Sequence, residues 1–168
     1  LLGAAVGMAL TLPISSAALC IAIQIGGESG TIAAGAALAG CCAQMIGFAV
    51  CSFKENKISG LLAQGIGTSM LQIPNIVKNP RIWIAPTIAS GLGGLLSTII
   101  FQMRTTSVGA GMGTAGLVGP IATYSVMGAV SLIPMLLLYI IIPAVVSLAI
   151  SEFLYKISWI KPGDMRIQ

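Results

Sequence analysis

The chain has 168 residues, of which 57% are hydrophobic and only 7% are charged, and its formal net charge is +4. Its mean hydropathy is +1.02, whereas about 25% of the residues in a soluble globular domain are charged. This composition excludes a soluble enzyme, a disordered chain and a nucleic-acid-binding protein, and it predicts an all-α integral membrane protein.

The first half of the chain is predicted to hold two membrane spans. Residues 1–25 form an apolar run that is long enough to cross a bilayer, with Pro13 as its kink. A polar break at residues 26–30 separates it from a second span over residues 31–53, which is rich in Gly and Ala. The charged loop at residues 54–57 follows.

Residues 58–77 are too irregular for a plain spanning helix, because they contain Gly60, Gly65, Gly67 and Pro74 together with uncharged polar side chains. Non-helical backbone persists at membrane depth only where protein or water satisfies its polar groups. The segment is therefore predicted to be a re-entrant hairpin or a split helix.

The second half of the chain also contains apolar runs separated by breaks, without a convincing internal repeat of the first half. Residues 82–103 are predicted to form a third span, and residues 104–119 a glycine-rich break. The apolar run 120–151 is too long for one straight crossing and is predicted to be kinked or divided in two. The tail, residues 152–168, is amphipathic and then polar. We thus expect about four to five transmembrane helices and one or two re-entrant or broken segments, in one transmembrane domain over residues 1–168.

The basic residues predict the orientation of the chain. They cluster at residues 54–57, at residues 78–81 and in the tail, and the positive-inside rule places all three regions in the cytoplasm. In this orientation Glu28 faces outward, and Arg104 is the one basic residue that is not on the cytoplasmic side.

Two broken segments, residues 58–80 and 105–120, flank one apolar span, which is the pattern that points to a solute site near the membrane midplane. Uncharged amides and hydroxyls suit a sugar, since ionised groups are not required to bind one. The predicted ligand-binding residues are Glu28, Thr68, Ser69, Gln72, Asn75, Asn79, Gly113 and Thr114. The alternative is that these residues only pack and hydrogen-bond helices to one another.

Other chemistry has little support in the sequence. The chain has no histidine, and its cysteines, Cys20, Cys41, Cys42 and Cys51, lie in apolar runs without CxxC spacing. Residues 111–116 match GxGxxG, but a dinucleotide site needs a βαβ unit around that motif. We expect no catalytic residue, no metal and no cofactor.

Three stretches, IPNIVKNPRIWIAP, GAGMGTAGLVGPI and WIKPGD, resemble the membrane subunit IIC of bacterial phosphoenolpyruvate-dependent sugar phosphotransferase systems. The nearest branch is the one that includes the perfringolysin O regulatory protein. The resemblance implies a non-catalytic homodimeric permease of the bacterial cell membrane, which binds a sugar-like solute while a cytosolic IIB subunit phosphorylates it. Members of that branch are much longer, so the chain corresponds to the C-terminal, substrate-binding half.

The chain departs from better-studied IIC subunits at the predicted site. When Asn79-Pro80 is aligned with the Asn-Pro that ends their sugar-binding motif, Thr68 stands where they carry a glutamate, and their hairpin histidine is absent. The resemblance therefore leaves a second hypothesis open, a membrane-embedded regulator on the same scaffold without phosphorylating transport. A third hypothesis, a structural helical subunit, predicts that no cavity exists.

Overall fold

The computed structural model describes residues 1–25 and 30–167, and in these residues helices dominate and no strand is present beyond an isolated bridge between Thr31 and Thr105. This confirms the all-α class. The α-helices are α1 (Leu2–Thr11), α2 (Ser16–Ala22), α3 (Ile32–Cys51), α4 (Phe53–Leu62), α5 (Ile73–Lys78), α6 (Ile84–Ile99), α7 (Ser107–Met112), α8 (Val118–Met127), α9 (Leu132–Met135) and α10 (Ile142–Lys156). The 3-10 helices are Ser69–Gln72, Pro80–Trp83, Ala115–Leu117 and Gly128–Ser131, and the π-helices are Ala63–Gly67 and Leu136–Ile141.

Helix α3 lies at the centre of the molecule, and α1, α6, α7 and α10 pack around it. Its sequence consists mainly of Ala, Gly and Cys, which let neighbouring backbones come close. At Gly40, a side chain would collide with the backbone of Gly3 in α1. At Gly35, it would collide with the backbone of Met103. Small residues thus make α3 the helix on which the others are assembled.

Three helical stretches in the described part of the chain are long and apolar enough to cross a membrane: Ile32–Cys51, Pro80–Ile99 and Ala115–Lys156. The first two correspond to the predicted second and third spans. The third has 42 residues, which would measure about 63 Å as one straight helix. That is about twice the thickness of the hydrocarbon core, so the stretch must be bent.

The bend in this long stretch lies at Gly128, whose φ of 69° and ψ of −159° reverse the chain direction. The Thr123 and Tyr139 hydroxyls are 3.1 Å apart, although sixteen positions of straight helix would separate them by about 24 Å. Helix α8 therefore folds back against residues 132–141. The prediction that this run is divided in two is confirmed: α8 forms one arm of a hairpin, and only the helical run 132–156 has the length to cross.

The predicted first span over residues 1–25 is wrong. It consists of two short helices, α1 and α2, because Pro13 cannot continue a helix and restricts the residue before it. Leu12 is accordingly extended, with φ of −76° and ψ of 160°.

All the charged residues that the structure describes, except Arg104, lie towards one end of the molecule. Lys54 forms an ion pair with Glu152. The Arg81 guanidinium lies 5.1 Å from the ring centre of Trp159. This one-ended charge distribution is the pattern that the positive-inside rule assigns to the cytoplasmic side.

Candidate functional site

Three breaks in the helices come together beside α3. They are the turn at residues 12–15 between α1 and α2, the break at residues 67–68, and the turn at residues 113–117 between α7 and α8. Hydrogen bonds join them. The Thr114 hydroxyl donates to the Gly65 carbonyl, the Ser16 hydroxyl donates to the Gly111 carbonyl, and the hydroxyls of Thr11 and Ser69 are 3.1 Å apart.

The meeting point is level with the middle of α3. Gly113 lies against Cys41 and Met45, and the Thr114 hydroxyl is 3.5 Å from the Met45 sulfur. Cys41 and Met45 belong to the central part of the 20-residue spanning helix α3. The three breaks therefore meet close to the depth at which transporters bind their solutes.

A cavity of about 530 Å³ opens between these breaks. Its lining residues are Leu10, Pro13, Ile14, Ser15, Ser16, Ala17, Gly67, Thr68, Met70, Met112 and Ala115. None of these described residues is charged. The volume falls within the range of about 300–1,000 Å³ that is typical of small-molecule sites. Apolar walls with a few hydroxyl groups suit a neutral solute rather than an ion.

Thr68 is the predicted ligand that lines this cavity directly. Its extended backbone, with φ of −158° and ψ of 140°, separates the π-helix before it from the 3-10 helix after it. Its side-chain oxygen accepts a hydrogen bond from the Met70 amide at 3.1 Å. Among the described residues no acceptor is seen for its hydroxyl proton.

Two of the predicted amide ligands, Gln72 and Asn75, form a buried chain of hydrogen bonds with Gln64. Gln72 Nε2 donates to Gln64 Oε1 at 2.9 Å, and Asn75 Nδ2 donates to Gln72 Oε1 at 2.8 Å. Gln64 Nε2 in turn donates to the Ser52 hydroxyl at 2.7 Å. We call Gln64, Gln72 and Asn75 the amide layer.

Residues 163–167, which we call the tail segment, cover the amide layer on the charged side of the molecule. Gln72 Nε2 donates to the Met165 carbonyl at 3.0 Å, and Asn75 Nδ2 donates to the Arg166 carbonyl at 3.1 Å. Asn79 Nδ2 donates to Asp164 Oδ2 at 2.7 Å. In this structure, the amides predicted to bind solute are bonded to protein instead.

The structure thus divides the predicted site residues into two layers. Thr68, Gly113 and Thr114 lie at the cavity or in the turn beside it, Gln72, Asn75 and Asn79 contact the tail segment, and Ser69 joins the two through Thr11. The remaining predicted ligand, Glu28, lies outside the described residues. Sequence reasoning did not find Ser15 and Ser16, although serines two and three positions after Pro13 are a signal for a helix start. It also did not find Glu55 and Asn56, which bind the tail segment.

The comparisons with known proteins gave one match. A family model described as "Phosphotransferase system, EIIC" matches residues 1–167. Neither the comparison with curated proteins nor the comparison with solved structures found a match.

Proposed function

We propose, on the premise that the chain belongs to the phosphotransferase system EIIC family, that it carries a neutral, sugar-like solute across the membrane through the cavity between its three helix breaks. The family match supports a membrane-embedded transporter domain of this system. The solute, its position and the partner subunit are our proposals.

The observation that carries the proposal is the convergence of three helix breaks around one uncharged cavity near the middle of α3. Broken helices at this depth expose backbone and hydroxyl groups to a solute and allow the two sides of the site to move separately. A structural subunit without a solute site has no need of such a cavity.

The chemistry of the cavity favours a polyhydroxylated neutral solute. Thr68 and the serines of the α2 start offer hydroxyl donors and acceptors, and the apolar wall suits the CH faces of a sugar ring. Thr68 also stands where the resemblance to other IIC subunits places their sugar-binding glutamate. Two independent arguments, sequence alignment and position in the cavity, therefore support the same residue.

The remaining parts of the proposal follow the family. We propose a homodimer in the bacterial cell membrane, with a cytosolic IIB subunit that carries out any phosphoryl transfer, and a chain that corresponds to the C-terminal half of a protein related to the perfringolysin O regulatory branch. Residues 1–168 then act as one transmembrane domain. The alternative of a regulator without phosphorylating transport draws no support from the family match.

A thermal-shift screen tests the proposed site. A solute that binds only the native state raises its apparent stability by mass action. We expect at least one sugar or polyol in a broad panel to raise the Tm of the protein in detergent. In the Thr68→Val variant, which keeps the side-chain volume and loses the hydroxyl, we expect this rise to be lost or reduced at least about tenfold in apparent affinity.

Thr98→Val is the matched control, because the Thr98 hydroxyl bonds only to carbonyls of its own helix, α6. It should keep the full ligand-induced rise. An equal loss of the rise in both variants, or a rise that survives Thr68→Val, would place the solute elsewhere.

A further inference from the structure

The tail segment is held mainly through its backbone. The Glu55 carboxylate accepts hydrogen bonds from the amides of Gly163 and Met165, at 2.9 and 3.1 Å. Asn56 Nδ2 donates to the Met165 carbonyl at 2.8 Å, and Asn56 Oδ1 accepts from the Ile167 amide at 2.9 Å. The first part of the segment is a turn, in which the Arg166 amide donates to the Gly163 carbonyl, so Glu55 and Asn56 bind the backbone of this turn and of Ile167 after it.

Packing around the tail segment is incomplete. Met165 is its one fully buried side chain, in a cluster with Phe48 and Leu154, while Gly163 and Arg166 are exposed. Cavities of about 360, 260 and 180 Å³ lie beside the segment, and Arg166 lines all three. The segment therefore has open space on several sides, and its release withdraws a single buried side chain, Met165, from the core.

A strained residue adjoins the groups that hold the tail segment. Lys57, which directly follows Asn56, has φ of 53° and ψ of −150° and interrupts α4. A non-glycine residue with such angles raises the free energy of the state that contains it and persists only where surrounding contacts enforce it. The hydrogen bonds of Glu55 and Asn56 to the tail segment are contacts of this kind.

We propose that the tail segment is a releasable latch that closes the charged, cytoplasmic end of the solute pathway. In the closed state shown here, the segment covers the amide layer, and Lys57 is held in its strained conformation. Release of the segment relaxes Lys57, joins the three flanking cavities and frees the donors of Gln72 and Asn75. These amides then line the exit from the inner cavity. The inference rests on the proposed transport function and adds its regulation.

The test measures access to the pathway without any solute. Ser69→Cys serves as the reporter, because Ser69 is fully buried between the cavity and the amide layer and bonds to Thr11 rather than to the tail segment. Inside-out membrane vesicles are treated with the small, impermeant thiol reagent methanethiosulfonate ethyltrimethylammonium. The described native cysteines are all buried, so modification of the reporter stands out.

With Asn56→Ala added, two latch hydrogen bonds are lost, and we expect the modification rate to rise at least about tenfold. Glu55→Gln weakens the hydrogen bonds to the amides of Gly163 and Met165 and should also raise the modification rate. It serves as a second variant if Asn56→Ala fails to fold. Lys57→Gly accepts the positive φ without strain, so it should stabilise the closed latch and lower the rate.

Ser59→Ala is the matched control, because Ser59 lines the same 360 Å³ cavity while its hydroxyl bonds within α4, to Asn56 O. Its rate should equal that of the reporter alone. Equal modification rates in Asn56→Ala, Glu55→Gln and Ser59→Ala would overturn the latch. A modification rate in Lys57→Gly as high as that of the reporter alone would show that strain at Lys57 plays no part in it. Because no solute is used, such failures are separate from a failure to find a ligand in the thermal-shift screen.

Discussion

Single glycines determine how closely the helices around α3 approach it. Gly40 faces Gly3 with so little space that an added methyl group would overlap the Gly3 backbone. Backbone cannot move aside as the end of a flexible side chain can, so the contact between α1 and α3 depends on both glycines. A glycine in a helix without such a contact, Gly91 in α6, has nothing within 4 Å of the position of a Cβ atom.

The Gly40→Ala variant should therefore be destabilised by about 1–3 kcal/mol, the usual effect of overpacking, with a lower Tm in detergent. Gly91→Ala makes the same chemical change where space is open, and it should leave the Tm unchanged or raise it, by up to about 1 kcal/mol in stability. If the two variants had equal Tm values, the close approach of α1 to α3 would be disproved.

Among the structural elements, the reversal at residues 128–131 decides how the long apolar stretch is used. Gly128 gives a backbone conformation that is open almost only to glycine, and it turns α8 back against residues 132–141. No atom lies within 4 Å of its Cβ position. An alanine there meets no steric obstacle from neighbours, and any loss of stability arises from the backbone alone.

Gly128→Ala should accordingly lower the free energy of unfolding by about 1–3 kcal/mol, measured as a fall in Tm or in the denaturant midpoint. Gly91→Ala again controls for the change of residue type, because both positions are free of close contacts. A Gly128→Ala variant as stable as the parent protein would show that α8 continues straight into the next helix.

Across the whole molecule, the described charges other than Arg104 lie towards one end, which the positive-inside rule predicts to be the cytoplasmic side. An impermeant maleimide applied to intact cells should label the Arg104→Cys variant and leave Lys161→Cys unlabelled until the cells are opened. Both positions are exposed, and the described native cysteines are buried. The opposite labelling pattern would invert the orientation and place the tail segment outside the cell.

The sequence by itself determined the membrane class, the positions of most helix breaks and the charged end. These properties are local, because hydropathy, proline and positive-φ glycine act within a few residues of where they stand. Sequence also singled out Thr68 and the Gly113-Thr114 turn, since breaks at membrane depth are expected to line a site. The sequence interpretation failed at residues 1–25, because their apolar composition fits one spanning helix as well as it fits two shorter helices separated by a break at Pro13.

Only the tertiary structure decided which groups the polar side chains meet. Gln72 and Met165 are 93 positions apart, and an amide can bond equally well to a sugar hydroxyl, a neighbouring side chain or a distant carbonyl. The choice depends on which backbone the fold brings within about 3 Å, and no local pattern encodes that. The same holds for the cavity, which exists because breaks in α1–α2, α4–α5 and α7–α8 come to the same depth beside α3.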